Sequence, residues 1–496
     1  MVSETENSRN VVLFPFMAQG HIIPFIALAN QLQKKHNCTI TFVTTKLNIP
    51  KISSSLPPNS SIHLLTIPFC GSGHGLPPGV ENTDVLPYHL LPNFFQASFS
   101  LKPSFRKLIS DLSPRPLCII ADMFFGWSHE IAREFGVFHA LFCGGGAFGF
   151  ACFHSLWLNL PHLKNVTNET ITVPDFPEAS RIHVTQMSEN LRDANGDKFT
   201  AVIQKLLSLW ENADAMLFNT VEELEAKTGL LYFRRKLGRP AWPIGPVVLP
   251  VLARKEGAII TFTSEMCIKW LDSKPAWSVL YVSFGSMNTI STSQMMELAM
   301  ALESSGKNFI WVVRPPIGYD INGEFRAEEW LPKGFEDRIR ESERGLIVHK
   351  WAPQVDILSH EAVSAFLSHC GWNSVIEALT HGVPIIGWPL AADQFYNAKF
   401  LEEELGVCVE VARGKSSRVG HEEMVKKIEL VMKVGSEKGN EIRRKVCEVG
   451  DIMRDALRDE NGCKGSSIKA MDEFLNAALL KRETYIMSTS RMIDNE

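Results

Sequence analysis

Short apolar segments alternate along this chain with longer segments whose apolar residues recur every three or four positions. Four runs in the first half have the length and composition of buried strands: Asn10–Phe16, Thr39–Thr45, Ser61–Ile67 and Leu117–Asp122. Gly20–Lys35, after the first of them, has helical spacing. The second half repeats the pattern, with strands predicted at Ser278–Phe284, Asn308–Val313, Gly345–Lys350, Ser364–His369 and Val383–Pro389. This alternation predicts an α/β fold of parallel sheets covered by helices on both faces.

The chain divides into two successive α/β units. Its 496 residues exceed one ordinary core, and four prolines between residues 239 and 250 disfavour regular structure there. We predict an N-terminal domain at 1–250, a linker at 251–275, a C-terminal domain ending in helices at 276–480, and a polar tail at 481–496. Two regions without clear periodicity, 71–90 and 161–197, are predicted to be loops beside a substrate-binding site.

Composition narrows the class of protein. Hydrophobic residues make up 45% of the chain and charged residues 21%, which is typical of a globular protein in solution. A net charge of -5 disfavours nucleic acid or an anionic membrane as the main partner. The first ten residues are polar, unlike a secretory signal, and Leu141–Leu160 is interrupted by three glycines, so no membrane-spanning segment is predicted. Ten cysteines without a CxxC pair indicate reduced thiols, and we expect a cytoplasmic monomer.

The segment FLSHCGWNSVIEAL has the pattern of a phosphate-binding turn. A predicted strand ends at His369, and a helix begins at Asn373 and Ser374, whose side chains add hydrogen-bond donors. A helix N-terminus offers unpaired backbone N–H groups and a positive dipole end to a phosphate. Glu377 lies one turn further on the same face. Ordinary helix capping would also explain Asn or Ser here, but Trp351, Gln354, Asp393 and Gln394 lie in the same stretch.

Three further residues follow predicted strands, where ligands of parallel sheets bind. Ser286 follows a strand of the second half. If the ligand of the phosphate-binding turn is a diphosphate, the Ser286 hydroxyl could bind the same group. His21 follows the first strand and begins a helix, and Asp122 ends another strand of that sheet. A carboxylate bonded to an imidazole holds the tautomer that accepts a proton, so His21 and Asp122 form a candidate catalytic dyad, although each could serve a structural role alone.

The sequence contains no pattern of metal ligands. There is no HExxH, no cysteine cluster and no Asp-x-Asp pair. A hydrolase is disfavoured because the GxSxG nucleophile elbow is also missing. We therefore expect neither a metal nor another cofactor.

The 44 residues from Trp351 to Gln394 closely resemble the signature of plant secondary-product UDP-glycosyltransferases. The segment PFMAQGHIIPF resembles that family's catalytic-histidine segment, and SFGSMN resembles its second phosphate turn. The resemblance implies a GT-B fold, in which two Rossmann-like domains face each other across a cleft. The acceptor would bind to the first domain and the donor to the second, without a metal.

The resemblance also implies roles for individual residues. The uracil and ribose contacts would be Trp351, Ala352, Gln354 and Glu377. The diphosphate contacts would be Ser286, His369, Asn373 and Ser374, with Gly371 in the turn beside them. The sugar contacts would be Trp372, Asp393 and Gln394. We expect the acceptor to contact His21, Phe125, Gly144, Phe148 and Ala392, although most aromatic residues near Asp122 are expected to belong to the core.

The implied reaction is an inverting transfer of glucose from UDP-glucose to a hydroxyl of a small hydrophobic acceptor, such as a flavonoid, another phenolic or a terpenoid. In this family a final Gln, here Gln394, accompanies glucose. UDP-xylose, UDP-galactose and UDP-glucuronate stay open as donors, and so does a non-catalytic UDP-sugar-binding protein. Small residues at Cys143–Gly146 and Ala391 depart from the family pattern and favour a bulky acceptor.

Overall fold

The computed structural model describes residues 9–56, 60–163, 169–248, 262–433, 435–460 and 462–493. Its strands, numbered in chain order, are β1 Asn10–Phe14, β2 Thr39–Thr44, β3 His63–Thr66, β4 Cys118–Asp122, β5 Phe138–Cys143, β6 Thr170–Ile171, β7 Ile182–His183, β8 Ala215–Phe218, β9 Ala241–Pro243, β10 Val279–Ser283, β11 Asn308–Val313, β12 Gly345–His349, β13 Val363–Ser368, β14 Ile385–Gly387, β15 Cys408–Glu410, β16 Asp459–Glu460 and β17 Cys463–Lys464.

The α-helices alternate with these strands through both halves of the chain. They are α1 Gln19–His36, α2 Ile49–Ser53, α3 Leu91–Ser98, α4 Lys102–Asp111, α5 Ser128–Glu134, α6 Ala147–Asn159, α7 Glu189–Arg192, α8 Lys198–Ser208, α9 Glu222–Glu225, α10 Gly229–Leu237, α11 Phe262–Asp272, α12 Thr292–Ser304, α13 Ala327–Trp330, α14 Phe335–Glu341, α15 Gln354–Leu358, α16 Trp372–Thr380, α17 Gln394–Lys399, α18 His421–Met432, α19 Glu437–Ala456 and α20 Ser466–Ile493.

The first sheet is parallel throughout and has the strand order β3-β2-β1-β4-β5-β8-β9. Every residue of β1, β4 and β5 is buried, as expected for strands covered by helices on both faces. The four strands predicted in this half lie within two residues of β1 to β4. The strands β5, β8 and β9 were not predicted, because short apolar runs do not distinguish a strand from a buried helix.

The second sheet is also parallel, with the order β12-β11-β10-β13-β14-β15. All five strands predicted for this half are present within two residues of the predicted ends. Separate sheets with helices on their faces confirm the predicted fold of two Rossmann-like domains. Two short antiparallel pairs, β6 with β7 and β16 with β17, lie outside both sheets.

The carboxyl ends of the two sheets meet. Trp372, beyond β13, donates a hydrogen bond to the backbone oxygen of Asn219, beyond β8. Asn373 donates to the backbone oxygen of Gly20, beyond β1. The loops that follow parallel strands are where such sheets bind ligands, so these contacts locate the candidate site between the domains.

The C-terminal part of the chain differs from the prediction. Residues 481–493, predicted as a polar tail, are the last turns of α20, while 494–496 lie outside the described residues. The same helix packs on the first sheet rather than the second, since Phe474 contacts Phe138 and Trp242. Sequence position suggested a place in the second domain, but the apolar residues of α20 complete the core of the first.

The predicted linker and loops also contain regular structure. Residues 251–261 of the linker lie outside the described residues, and the next segment forms α11, which packs near β12 and α15. The predicted loop 161–197 contains β6, β7 and α7, apart from 164–168, which lie outside the described residues. In the part of the chain that the structure describes, no helix combines the length and apolar character needed to cross a bilayer.

The packing of α20 predicts that Phe474→Ala destabilises the whole protein. Phe474 is fully buried, and truncation of a buried Phe to Ala costs ~3–5 kcal/mol. Leu480→Ala, on the same helix but 65% exposed, is the matched control and is expected to change stability by less than about 0.5 kcal/mol. Urea unfolding of both variants measures the difference, and equal effects would contradict the assignment of α20 to the core.

Candidate active site in the interdomain cleft

His21 and Asp122 form the pair predicted from the sequence. Nδ1 of His21 and Oδ2 of Asp122 are 2.8 Å apart, and the imidazole donates to the carboxylate. The other carboxylate oxygen accepts from the backbone N–H of Phe124 at 3.0 Å, which fixes the orientation of Asp122 at the end of β4. The carboxylate is almost completely buried, whereas the His21 side chain is 24% exposed. The pair therefore leaves Nε2 as the ring nitrogen for a ligand.

The surroundings of His21 make its imidazole more basic than usual. Burial alone lowers the pKa of His21, but the charge and hydrogen bond of Asp122 outweigh burial, and Asp393 adds a smaller effect in the same direction. The net result is a pKa raised above the ordinary value. The contribution of Asp393 also shows that a carboxylate of the second domain lies within electrostatic range of the histidine.

Aromatic rings surround His21 on the first-domain side. Phe16 and Phe124 lie 5.6 Å and 5.3 Å from the imidazole between ring centroids. Phe95 packs on both rings, and Phe95 and Phe124 keep a small exposed fraction. These three residues form the apolar wall next to the histidine.

The other residues predicted to contact the acceptor do not belong to this aromatic wall. Phe125 and Phe148 are fully buried, Phe125 stacked on Phe14 and Phe148 on Phe400, so both are core residues rather than pocket walls. Gly144 packs on α1, where an added Cβ would lie 2.9 Å from the ring of Pro24. Ala392 is exposed, with a positive φ of 51°, in the turn before Asp393. Composition does not distinguish a core Phe from a pocket Phe, which explains the two errors.

The predicted phosphate turn has the expected backbone. Gly371 is the N-cap of α16, whose first residues, Trp372 to Ser374, point their backbone N–H groups beyond the end of β13. The imidazole of His369 lies below this turn, where an added Cβ on Gly285 would be 2.7 Å from its Nε2. Burial lowers the pKa of His369 to about 4, against an opposing hydrogen bond with the Ser283 backbone. His369 is therefore neutral at physiological pH and adds no positive charge for a diphosphate.

The residues assigned to the ribose form one hydrogen-bonded group. Nε2 of Gln354 donates to Ser374 Oγ and to Glu377 Oε2, both at 2.9 Å. The hydroxyl of Tyr281, in β10, contacts Gln354 Oε1 at 3.3 Å. Burial and these bonds hold the Glu377 carboxylate and the Ser374 hydroxyl at fixed positions beside the start of α16.

The residues assigned to the uracil ring and to the second phosphate turn lie on the open side of the cleft. Trp351 is 50% exposed, directly after β12, so one face of its indole is accessible to a planar ring. The adjacent Ala352 is buried. Ser286 is exposed and follows Gly285, whose φ of 79° suits glycine. These positions are compatible with the roles predicted from the sequence.

Asp393 and Gln394 are held by two sets of hydrogen bonds. Oε1 of Gln394 accepts from the backbone N–H groups of Leu390 at 3.0 Å and Ala391 at 2.9 Å. Since the oxygen is occupied, the amide presents its N–H₂ group as the part for a ligand. The carboxylate of Asp393 accepts from Asn397 Nδ2 at 2.8 Å. Burial raises the pKa of Asp393, although the bond from Asn397 and the nearby His21 act against this shift.

Trp372 and Asn373 connect the second domain to the first. The indole Nε1 of Trp372 donates to Asn219 O at 2.6 Å, and the amide of Asn373 donates to Gly20 O at 3.0 Å. An added Cβ on Gly146 would lie 2.7 Å from the Trp372 ring. The contact of Trp372 with the sugar stays a prediction; its side chain makes a buried contact across the domain interface. The sequence could not show this contact, because its partners lie in the other domain.

Several residues of the site were missed from the sequence. Asn397 lies four residues after Asp393 on a helix, so its position on the same face could have been inferred. Phe124 lies two residues after Asp122 and was not named among the predicted acceptor contacts. Asn219 follows β8, a strand that was not predicted from the sequence. Among the residues that the structure describes, no group of three or more His, Cys, Asp or Glu side chains is placed to hold a metal ion.

Comparison with known proteins assigns the chain to a family. The family model described as UDP-glucoronosyl and UDP-glucosyl transferase matches residues 263–444. The chain is 49% identical to UDP-glycosyltransferase 92A1 of Arabidopsis thaliana over 97% of its length and 99% of that protein. It is 42% identical to crocetin glucosyltransferase 3 of Crocus sativus, covering 87% of the chain and 93% of the relative.

A solved structure shares the whole architecture. The crystal structure of Glycyrrhiza uralensis UGT73P12, complexed with glycyrrhetinic acid 3-O-monoglucuronide, superposes with a TM-score of 0.81 at 29% identity, covering 99% of this chain and 100% of the other. The chain belongs to the plant UDP-glycosyltransferase family and has its GT-B fold. It is an enzyme that transfers a sugar from a UDP-sugar to a small-molecule acceptor.

The contact between Asn397 and Asp393 predicts a defect that affects binding of the sugar more than binding of UDP, since the same amide also donates to the backbone oxygen of Cys370 in the predicted phosphate turn. Asn397→Ala removes the bond that orients the Asp393 carboxylate, and a hydrogen bond to a charged group contributes ~1.5–3 kcal/mol. We expect the affinity for UDP-glucose to fall by about tenfold or more, with a smaller loss of affinity for UDP. Isothermal titration with both ligands measures this difference. Asn440→Ala on the exposed face of α19 is the control, and equal losses for UDP and UDP-glucose would contradict the prediction.

Proposed function

We propose that this enzyme transfers glucose from UDP-glucose to a hydroxyl of a small hydrophobic acceptor with inversion, giving a β-glucoside. The observation that carries the proposal is the position of the His21–Asp122 pair. It lies beside Gly20, whose backbone oxygen is bonded to Asn373 at the start of α16. A general base and a diphosphate-binding helix end are thereby adjacent across the cleft.

The proposed chemistry follows from this geometry. With Nδ1–H bonded to Asp122, Nε2 carries the lone pair and accepts the proton of the acceptor hydroxyl. The acceptor oxygen attacks the anomeric carbon from the side opposite to UDP, and the bond to the leaving phosphate oxygen breaks. The backbone N–H groups at the start of α16 stabilise the negative charge that develops on the diphosphate. Asp122 and Asp393 stabilise the imidazolium that forms on His21.

Glucose is favoured by the fixed orientation of Gln394. Its amide oxygen is occupied by two backbone N–H groups, so its N–H₂ group would donate to a sugar hydroxyl, and Asp393 would accept from another. The name of the relative from Crocus sativus, a glucosyltransferase, supports the same donor. UDP-xylose, UDP-galactose and UDP-glucuronate are the alternatives, and competition among the four donors on the purified enzyme decides between them.

The acceptor is proposed to be a small hydrophobic aglycone bound against the aromatic wall. Phe95 and Phe124 keep a small exposed apolar surface close to His21, and the buried ring of Phe16 packs against both; aromatic rings of this kind suit planar or polycyclic ligands. No metal or other cofactor is part of the proposal, because each charge of the transfer is assigned to a side chain or to the helix end.

The role of His21 predicts that His21→Ala abolishes transfer without preventing UDP binding. Loss of a general base typically lowers the rate by about 10²–10⁴-fold, while the donor contacts lie in the other domain. UDP release in the presence of an aglycone measures turnover, and titration calorimetry measures UDP affinity. His63→Ala, an exposed histidine on β3, is the control. Retained turnover of an alcohol acceptor by His21→Ala would contradict the assignment of the base.

The raised pKa of His21 predicts the pH dependence of the reaction. Only neutral His21 accepts a proton, so kcat/KM should rise with pH. The midpoint of this rising limb should lie above 6.5, the ordinary pKa of histidine. Asp122→Asn removes the charge that raises this pKa and leaves burial, which lowers it, so the limb should move to lower pH while the maximal rate falls. Rate profiles of both proteins from pH 5 to 9 test this, and an unchanged limb would argue against coupling between the two residues.

A further inference from the structure

A cavity of about 520 Å³ lies at the edge of the cleft, separate from the residues assigned above to the donor and to catalysis. One side is formed by residues 185–192 of the first domain, and the other by residues 390–391 and 410–419 of the second, with Phe395 between them. Sites for small molecules typically enclose about 300–1,000 Å³. The cavity is therefore large enough to hold part of a substrate.

The cavity shares a wall with the proposed sugar site. Leu390 and Ala391 line it, and the backbone N–H groups of the same two residues hold the Gln394 amide oxygen. Ala391 contributes only a methyl group to this wall. The turn at Leu390 and Ala391 therefore lies between the cavity and the Gln394 amide of the proposed sugar site.

The lining is rich in groups that both donate and accept hydrogen bonds. Ser188 and Asn190 contribute from the first domain, and Ser417 from the second. Arg413 pairs with Glu410 and also donates to Thr185 Oγ1 at 3.2 Å, which joins the two sides. The guanidinium and the carboxylate are thus held in place before any ligand arrives.

Two pairs of opposite charge, Glu410 with Arg413 and Glu189 with Lys415, lie in the lining, and a fifth charged side chain, Arg192, lines the cavity from an exposed position. Burial raises the pKa of Glu410 to about 7, against the effect of Arg413. Burial lowers the pKa of Lys415, against the effect of Glu189. An ionic ligand would compete with these pairs, and the separated charges would lose stabilisation. A neutral group with several hydroxyls can bond to the same side chains without breaking the pairs.

We propose that this cavity binds the sugar of an acceptor that already carries a glycosyl group, so that the enzyme adds a second sugar to a glycoside. The inference rests on the proposed function and specifies its acceptor. A free hydroxyl of the glycoside attacks the anomeric carbon of UDP-glucose and loses its proton to His21 Nε2. The bond between that carbon and the phosphate oxygen breaks, and UDP departs with the electron pair.

Matched acceptors test the proposal on the full-length enzyme. Quercetin, resveratrol and oleanolic acid are compared with their 3-O-glucosides, and quercetin also with its 3-O-glucuronide. We expect kcat/KM for a glucoside to exceed that for its aglycone by about tenfold or more, because the hydroxyls of the added sugar form hydrogen bonds with the lining that an aglycone does not form. Turnover of aglycones but not of glucosides would overturn this inference and leave the proposed function standing. Preference for the glucuronide would identify an anion site and overturn it as well.

Two variants localise the effect in the cavity. Ser417→Trp fills the space, and Lys415→Met removes a charged donor, so both should raise KM for the glucoside about tenfold and leave the aglycone unchanged. Lys438→Met, on the exposed face of α19, is the matched control. Unchanged glucoside kinetics in folded Ser417→Trp would overturn the inference. No turnover of any aglycone or glucoside would contradict the proposed function itself, and the inference would fall with it.

Discussion

The hydrogen bonds from Trp372 and Asn373 into the first domain are the contacts on which the rest of the site depends. They join the first turn of the donor helix to Asn219 and Gly20, residues that follow strands of the other sheet. The indole fits only because Gly146 has no side chain. Each domain alone has an ordinary parallel sheet, and the chemistry requires both. The side chains of Trp372 and Asn373 thus set the distance between His21, the proposed general base, and the proposed diphosphate site.

Burial and neighbouring groups shift the pKa values of three titratable groups at this interface, upward for His21 and Asp393 and downward for His369. His21 is kept basic because Asp122 and Asp393 outweigh the cost of burying its charge. His369 has no carboxylate partner and is neutral. Asp393 is more difficult to ionise than usual, although Asn397 and His21 favour its charged form. His21 and Asp393 each favour the charged form of the other, so the proposed function predicts that sugar binding and proton acceptance influence each other.

The sequence predicted what depends on local order along the chain. Strand ends, the turn at Gly371 and the pairing of His21 with Asp122 could be predicted because parallel strands bring their carboxyl ends together. The burial of Trp372 and Phe148 could not be predicted, because their partners come from the other domain or from distant segments. The domain predicted for α20 was wrong for a similar reason, because the apolar face of this helix packs on the first sheet, which is the more distant sheet along the chain. Contacts between distant parts of the chain are a property of the packing.

The anomeric configuration of the product tests the central claim most directly. Nuclear magnetic resonance of the glycoside formed from UDP-glucose, recorded before any non-enzymatic change, distinguishes the β from the α anomer through the coupling of the anomeric proton. Direct displacement by a hydroxyl activated at His21, with UDP leaving on the opposite side, predicts the β anomer alone. An α-glucoside would contradict the account, because it requires attack from the side of the leaving group or a second displacement.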